Sequence, residues 1–242
     1  MKELYQISIN DVRRIANIYK CLDGRDVISE YEQNEEEVKK HLFRIFADYK
    51  KEKVLDGAVV SQLFFPTTLS KKFKVFISHS SEDKDDVRIL AKFLETNRIN
   101  CFVDWMVWEN VYELQKGMDK NMCLKTKENG DQYYDYNLRN YTTAHTHAML
   151  SMALLDMIEK CDIFLFVSSE NSTLPSANFT DVKTLSPWIY EEISYINHMI
   201  PIKRGLFSEG TTSIKISHPL DLSRFTTLNH LNLISTLTAL ND

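Results

Sequence analysis

Apolar positions along the chain follow two different rules. Up to about residue 66 they recur at helical spacing: Val12, Ile15, Ala16 and Tyr19 share one face, and Val38, Leu42, Ile45 and Tyr49 share another. The second stripe has marked ends. Asn34 stands at a cap position with Glu37 three residues on, Glu35 and Glu36 complement the positive end of the dipole, and Lys50, Lys51 and Lys53 crowd the negative end. Pro66-Thr67-Thr68 breaks the pattern. The spacing predicts a helical N-terminal extension over 1–68, with its stripes packed on a main domain over 69–242 or offered to a partner.

From Lys72 the pattern becomes short apolar runs, each followed by helical periodicity, as expected of a parallel sheet covered on both faces. Phe73 to Ser78 reads as the first strand. Val87, Leu90, Ala91 and Leu94 then mark a helix, and Cys101 to Asp104 a second strand. Residues 109–121 are weakly helical. Residues 122–137 predict an inserted hairpin, because Asn129-Gly130 is a strong two-residue turn signal. Residues 143–160 are apolar nearly all round, which predicts an enclosed helix. Ile163 to Val167 is an uninterrupted apolar strand for the middle of the sheet. A polar loop, 168–186, leads to Ser186-Pro187, a cap residue before the amino acid preferred at the first helical position. Met199 to Ile202 predicts a last core strand, and 220–240 closes the domain with helix and irregular chain. The class is α/β, with a mostly parallel sheet of about five strands.

Composition narrows the chemistry. Of 242 residues, 43% are hydrophobic and 26% charged, ordinary values for a folded globular chain. With 29 Lys+Arg against 34 Asp+Glu, the net charge of -5 gives no reason to expect a nucleic-acid partner. Cys21, Cys101, Cys123 and Cys161 have neither zinc nor disulfide-framework spacing and suit a reducing cytoplasm. The opening residues lack the apolar core of a signal peptide. No run approaches the about 20 apolar residues of a membrane crossing. The six glycines form no phosphate-binding loop, so no nucleotide cofactor is expected to be held in that way.

In an open parallel sheet, ligands bind beyond the carboxyl ends of the strands. That rule selects SHSSEDK after the first strand, DWMVWEN after the second, and the 168–186 loop with the helix after it. On that helix Trp188 and Glu192 are four residues apart and share a face, whereas Glu191 is turned away from Glu192 by about 100°. An indole beside a carboxylate can stack a flat ring and accept hydrogen bonds from sugar hydroxyls. On the residues alone, Glu192 also reads as a solvated carboxylate and Trp188 as core. His145 and His147 stand two apart on a helix, a spacing that points the rings away from each other, so no metal site is expected. Asp104 with Glu82-Asp83 offers a second reading, the phosphoacceptor and Mg²⁺-binding pair of a receiver-type domain, without a matching lysine loop at Lys203.

The strings KVFISHSSEDK, NCFVDW, CDIFLFVSSENS and SPWIYEEI occur in the order found in the Toll/interleukin-1 receptor (TIR) domain, and the chain resembles that family in its bacterial form over roughly 72–240. The resemblance implies a flavodoxin-like fold, here with an insertion at about 122–145. It further implies cleavage of the nicotinamide–ribose bond of NAD, by hydrolysis or cyclisation, with NAD as substrate and no cofactor. By position, Glu192 matches the catalytic glutamate of NAD-cleaving members and Trp188 their tryptophan. His79, Ser80, Asp104, Trp108 and Glu109 fall on the two loops that line the pocket. The loop after Asp104, WMVWENVYE, lacks the glycine that the family often places there.

The same likeness extends to antiphage proteins of Thoeris type, which make a nucleotide signal from NAD. It implies a cytoplasmic homo-oligomer assembled through TIR loops and a downstream effector reached by that product. The alternative within the family is a non-catalytic module that signals by assembly, with Glu192 on its surface.

Overall fold

The computed structural model describes residues 2–19, 73–103, 111–174, 182–199 and 217–239. In chain order these form β1 (Glu3–Ser8), α1 (Ile9–Tyr19), β2 (Val75–Ser78), a 3-10 turn (Ser81–Asp83), α2 (Lys84–Thr96) and β3 (Cys101–Val103). Then come α3 (Val111–Met118), a π-helical turn (Asp119–Cys123), β4 (Leu124–Thr126), β5 (Gln132–Tyr134) and α4 (Tyr136–Lys160). The chain continues with β6 (Ile163–Ser168), β7 (Lys183–Thr184), α5 (Pro187–Met199), β8 (His218–Pro219), β9 (Thr226–Leu228) and α6 (Leu233–Ala239). They belong to two compact units: one holds the main sheet, and the other has 111–156 as its described residues.

The sheet is five-stranded and wholly parallel, in the order β3-β2-β6-β1-β9. Every residue of β2 and β3 and the first five of β6 are buried, the expected state of strands covered on both faces. Its centre is aromatic. Phe76 stacks on Phe164 at 5.5 Å and on Phe102 at 5.6 Å, and Phe225 meets Phe164 edge-on at 6.0 Å. α2 buries Val87, Leu90, Ala91 and Leu94, the stripe that the spacing predicts. It ends in a left-handed residue, Arg98 (φ 60), with Arg98 N–H on the Glu95 carbonyl and Ile99 N–H on that of Leu94, the pairing that closes a helix C-terminus.

Taking β2, β3 and β6 as first, second and third strands gives the 2-1-3 start of a flavodoxin-like order, so the α/β expectation holds. The fourth place belongs to β1, whose Glu3 to Ser8 run beside Ile163 to Ser168, and the fifth to β9. This corrects two expectations. Residues 3–8 are a strand inside the sheet and not helix, and residues 2–19 share the unit of the sheet; 20–68 lie outside the described residues. The physical reason is that Leu4, Tyr5 and Ile7 are buried while Glu3 and Gln6 keep partial access, Gln6 donating to Thr227 Oγ1 at 2.9 Å. In the second correction, Met199 ends α5 and does not start a strand, and 200–202 lie outside the described residues.

The helical stripe of Val12, Ile15 and Ala16 is buried as expected, and Arg13 on α1 pairs with Asp86 on α2 at 2.9 Å. The Val38–Tyr49 stripe and the Pro66 break lie outside the described residues. Lys2 Nζ donates to the carbonyls of Ile158, Glu159 and Cys161, placing a cation on the carbonyl end of α4.

In the second unit, β4 and β5 form the antiparallel hairpin expected over 122–137. Lys127 accepts from Gly130 N–H at 3.0 Å and donates its own N–H to Asp131 at 2.8 Å, with Gly130 at φ 88. Asp135 caps α4 by accepting from the N–H groups of Asn137 and Leu138 at 3.0 and 3.1 Å. The helix is not enclosed on all sides. It buries one stripe, Thr142, Thr146, Leu150, Ala153 and Leu154, and leaves Tyr136, Tyr141 and Met152 exposed. No helix among the described residues is long and apolar enough to cross a membrane.

Candidate functional site

Strand β2 delivers His79 and Ser80 at its carboxyl end, each 8% exposed. Ser80 organises the turn that follows: its carbonyl accepts from Asp83 N–H at 2.9 Å and its hydroxyl from Glu82 N–H at 3.4 Å. His79 Nδ1 lies 3.4 Å from the Ile77 carbonyl. Strand β6, the neighbour of β2, ends in a second polar loop. Ser169 there accepts on its carbonyl from the N–H and hydroxyl of Thr173 at 3.0 and 2.9 Å.

The two loops meet at Asp83. It is 2% exposed, and both carboxylate oxygens are engaged: Ser169 Oγ donates to Oδ2 at 2.5 Å and Asn171 Nδ2 to Oδ1 at 2.7 Å. Glu82 beside it is exposed. This arrangement weighs against the receiver-type reading, because the acidic pair needed for a cation is divided between a loop clasp and the surface.

Helix α5 begins as the sequence predicts. Ser186 Oγ accepts from Ile189 N–H at 3.3 Å and its carbonyl from Tyr190 N–H at 3.1 Å, with Pro187 in the first helical position. Ile189, Ile193 and Ile196 are buried, and Glu192 lies in the same stripe at 2% exposure with its Oε2 enclosed. Trp188, one turn earlier, is half-buried, as is Glu191. The N-terminal end of α5 is tied to the β6 loop by the pairing of Leu174 with Lys183, where Leu174 N–H donates to the Lys183 carbonyl at 2.7 Å. Its flank is fixed by Tyr190 stacked on His218 at 4.4 Å and by Asn197 Nδ2 on the Asp221 carbonyl at 2.8 Å.

The residues assigned from the sequence thus fall in three sets. His79 and Ser80 lie together at the end of β2, Trp188 and Glu192 on the first turns of α5, and Asp104, Trp108 and Glu109 outside the described residues. His145 is exposed and lies against the Tyr141 ring at 4.4 Å. No group of three or more His, Cys, Asp or Glu suited to a metal occurs among the described residues.

Two polar clusters went unread in the sequence. One is the Asp83 clasp. The other joins Ser8, Asp11 and His230 at the ends of β1 and β9: Ser8 Oγ donates to Asp11 Oδ2 at 2.7 Å, and His230 Nδ1 lies 2.8 Å from Asp11 Oδ1. Burial alone would raise the Asp11 pKa, but hydrogen bonds from Ser8 and His230 and the Arg14 charge together outweigh it and hold the carboxyl below its ordinary value. The spacing Ser8-x-x-Asp11 is a helix-start signal that could have located α1, and hence the strand before it.

The thiols of Cys101, Cys123 and Cys161 are free and buried, and burial pushes that of Cys161 up to about 12, which removes it as a nucleophile at neutral pH. Comparison with protein-family models, with curated proteins and with solved structures finds no match.

Proposed function

We propose that the protein is a TIR-type enzyme that breaks the nicotinamide–ribose bond of NAD, with Glu192 as the catalytic carboxylate. One observation carries this reading: Glu192 lies in the buried isoleucine stripe of α5, one turn beyond Trp188, at 2% exposure. A glutamate this deeply buried is unusual, and buried ionisable groups concentrate where charge must be stabilised. Departure of nicotinamide leaves an oxocarbenium-like ribose, which a nearby carboxylate stabilises and orients through its hydroxyls. The leaving ring goes from cationic to neutral, so no general acid is required.

In this reading Trp188 walls the nicotinamide side. His79 and Ser80 shape the substrate side from the end of β2; Asp104, Trp108 and Glu109, which the resemblance assigns to substrate binding, lie outside the described residues. NAD is consumed, to ADP-ribose or a cyclic form. The buried free thiols suit a reducing cytoplasm, and a homo-oligomer signalling to an effector in antiphage defence follows from the same resemblance.

Nicotinamide release from NAD by the purified full chain, over a range of protein concentrations, tests the reading. Glu192→Gln is expected to lose about a hundredfold or more in kcat, with Glu191→Gln within about twofold of the parent. An inactive parent at every concentration, or equal losses in both variants, favours the non-catalytic assembly module.

A further inference from the structure

A run of hydrogen bonds, continued along the chain at Thr173–Leu174 and Lys183–Thr184, leads from the end of β2 to the start of α5. It begins at Ser80, whose carbonyl takes Asp83 N–H, crosses to the β6 loop through Ser169 and Asn171, and passes along Ser169 to Thr173. Leu174 then pairs with Lys183, and the next residue, Thr184, accepts Ser186 N–H on its hydroxyl at 3.0 Å. Ser186 is the cap of the helix that bears Trp188 and Glu192. We propose that Asp83 is a positioning residue: its carboxylate clasps the β2 loop to the β6 loop, and so fixes His79 and Ser80 relative to the helix of Glu192.

The chemistry of the clasp demands an acceptor at position 83. Ser169 Oγ already accepts from the N–H groups of Asn171 and Ser172 at 3.1 and 3.0 Å, which fills its lone pairs. Its proton is then donated, and Asp83 Oδ2 at 2.5 Å is a far better placed acceptor than Ser172 Oγ at 3.4 Å. The second oxygen needs a donor, which Asn171 supplies. A carboxylate buried to this extent with both oxygens satisfied favours one geometry of the two loops and disfavours others. The inference deepens the NAD-cleaving reading and depends on it for the reaction that is positioned, but the mechanical link between loops is separable from that reading.

The donor and acceptor can be exchanged, which gives a test that does not rely on deleting a buried group. Asn171→Asp sets two carboxylates against each other and opens the clasp. Adding Asp83→Asn restores one donor and one acceptor, with the asparagine oxygen taking the Ser169 proton. In the full chain, Asn171→Asp is expected to lower kcat for nicotinamide release at least about tenfold, and the double variant to recover to within about threefold of the parent.

Amide hydrogen exchange supplies a readout independent of NAD. Asn171→Asp should speed exchange about tenfold at 183–190 as well as at 169–174, and the double variant should reverse both. Unchanged exchange at 183–190, or no recovery in the double variant, overturns the positioning role even if Glu192 proves catalytic. Exchange that shifts and recovers while the parent releases no nicotinamide upholds the link between the loops and sinks the NAD reading instead.

Discussion

The sheet unit and the hairpin of the second unit are stabilised by opposite means. In the sheet, β2 and β6 are buried on both faces and the centre is a stack of phenylalanines drawn from distant parts of the chain. In the hairpin, both residues flanking the turn and all of β5 are exposed, and order comes from local chemistry: the Gly130 turn, the Asp135 cap, and Lys127 and Arg139 over the rings of Tyr133 and Tyr134. The lesson is that one region owes its shape to nonlocal apolar burial and the other to turn residues and caps. A substitution should therefore have a large effect in the first and a small, local one in the second.

The sharpest way to break that contrast is Phe164→Ala. The ring touches Phe76 and Phe225 and is 1% exposed, so its loss is expected to cost about 3–5 kcal/mol in chemical denaturation. A cost below about 1 kcal/mol would mean that the aromatic stack does not hold the sheet together.

Asp11→Ala comes next, because it removes the link between the ends of β1 and β9, and about 2 kcal/mol is expected at neutral pH. The sign of its pH dependence follows from the depressed pKa. The contribution is present above the ordinary aspartate value of 3.8 and fades as pH falls through the lower folded-state value. Melting curves of parent and variant should accordingly converge in acid, and a gap that widens there would contradict the assignment.

The smallest effect belongs to the hairpin. A Cβ at Gly130 meets nothing within 4 Å, so Gly130→Ala carries only the strain of φ 88, about 1 kcal/mol. The change should appear as faster amide exchange in 124–134, with the sheet unit unaffected.

Much of this was legible from residue patterns, for identifiable reasons. β2, β3 and β6 are runs of apolar residues because both faces are covered, and Ser186-Pro187 announced α5 to the residue. The Asn129-Gly130 turn likewise placed the hairpin. β1 escaped because Glu3, Gln6 and Ser8 interrupt its apolar positions, and its partial exposure follows from a neighbour, β9, only three residues long. β9 itself was hidden by polarity, since Thr226 and Thr227 are exposed and only Leu228 is buried. At the candidate site the helix spacing of Trp188 and Glu192 was readable. That Asp83 faces the β6 loop was not, because the contact joins residues 86 or more positions apart and leaves no periodic trace.

The place of β1 in the sheet also bears on how the molecule comes together. Glu3 must find Ile163, and Tyr5 must find Thr226, so a strand synthesised early waits for partners made much later. Contacts of such sequence separation slow folding, and until they form, the flank of β6 is an open ribbon edge able to capture a neighbouring chain. Expression at low temperature or with a chaperone should then favour the folded chain over aggregates, and a bulky tag fused ahead of Lys2 should shift the balance the other way.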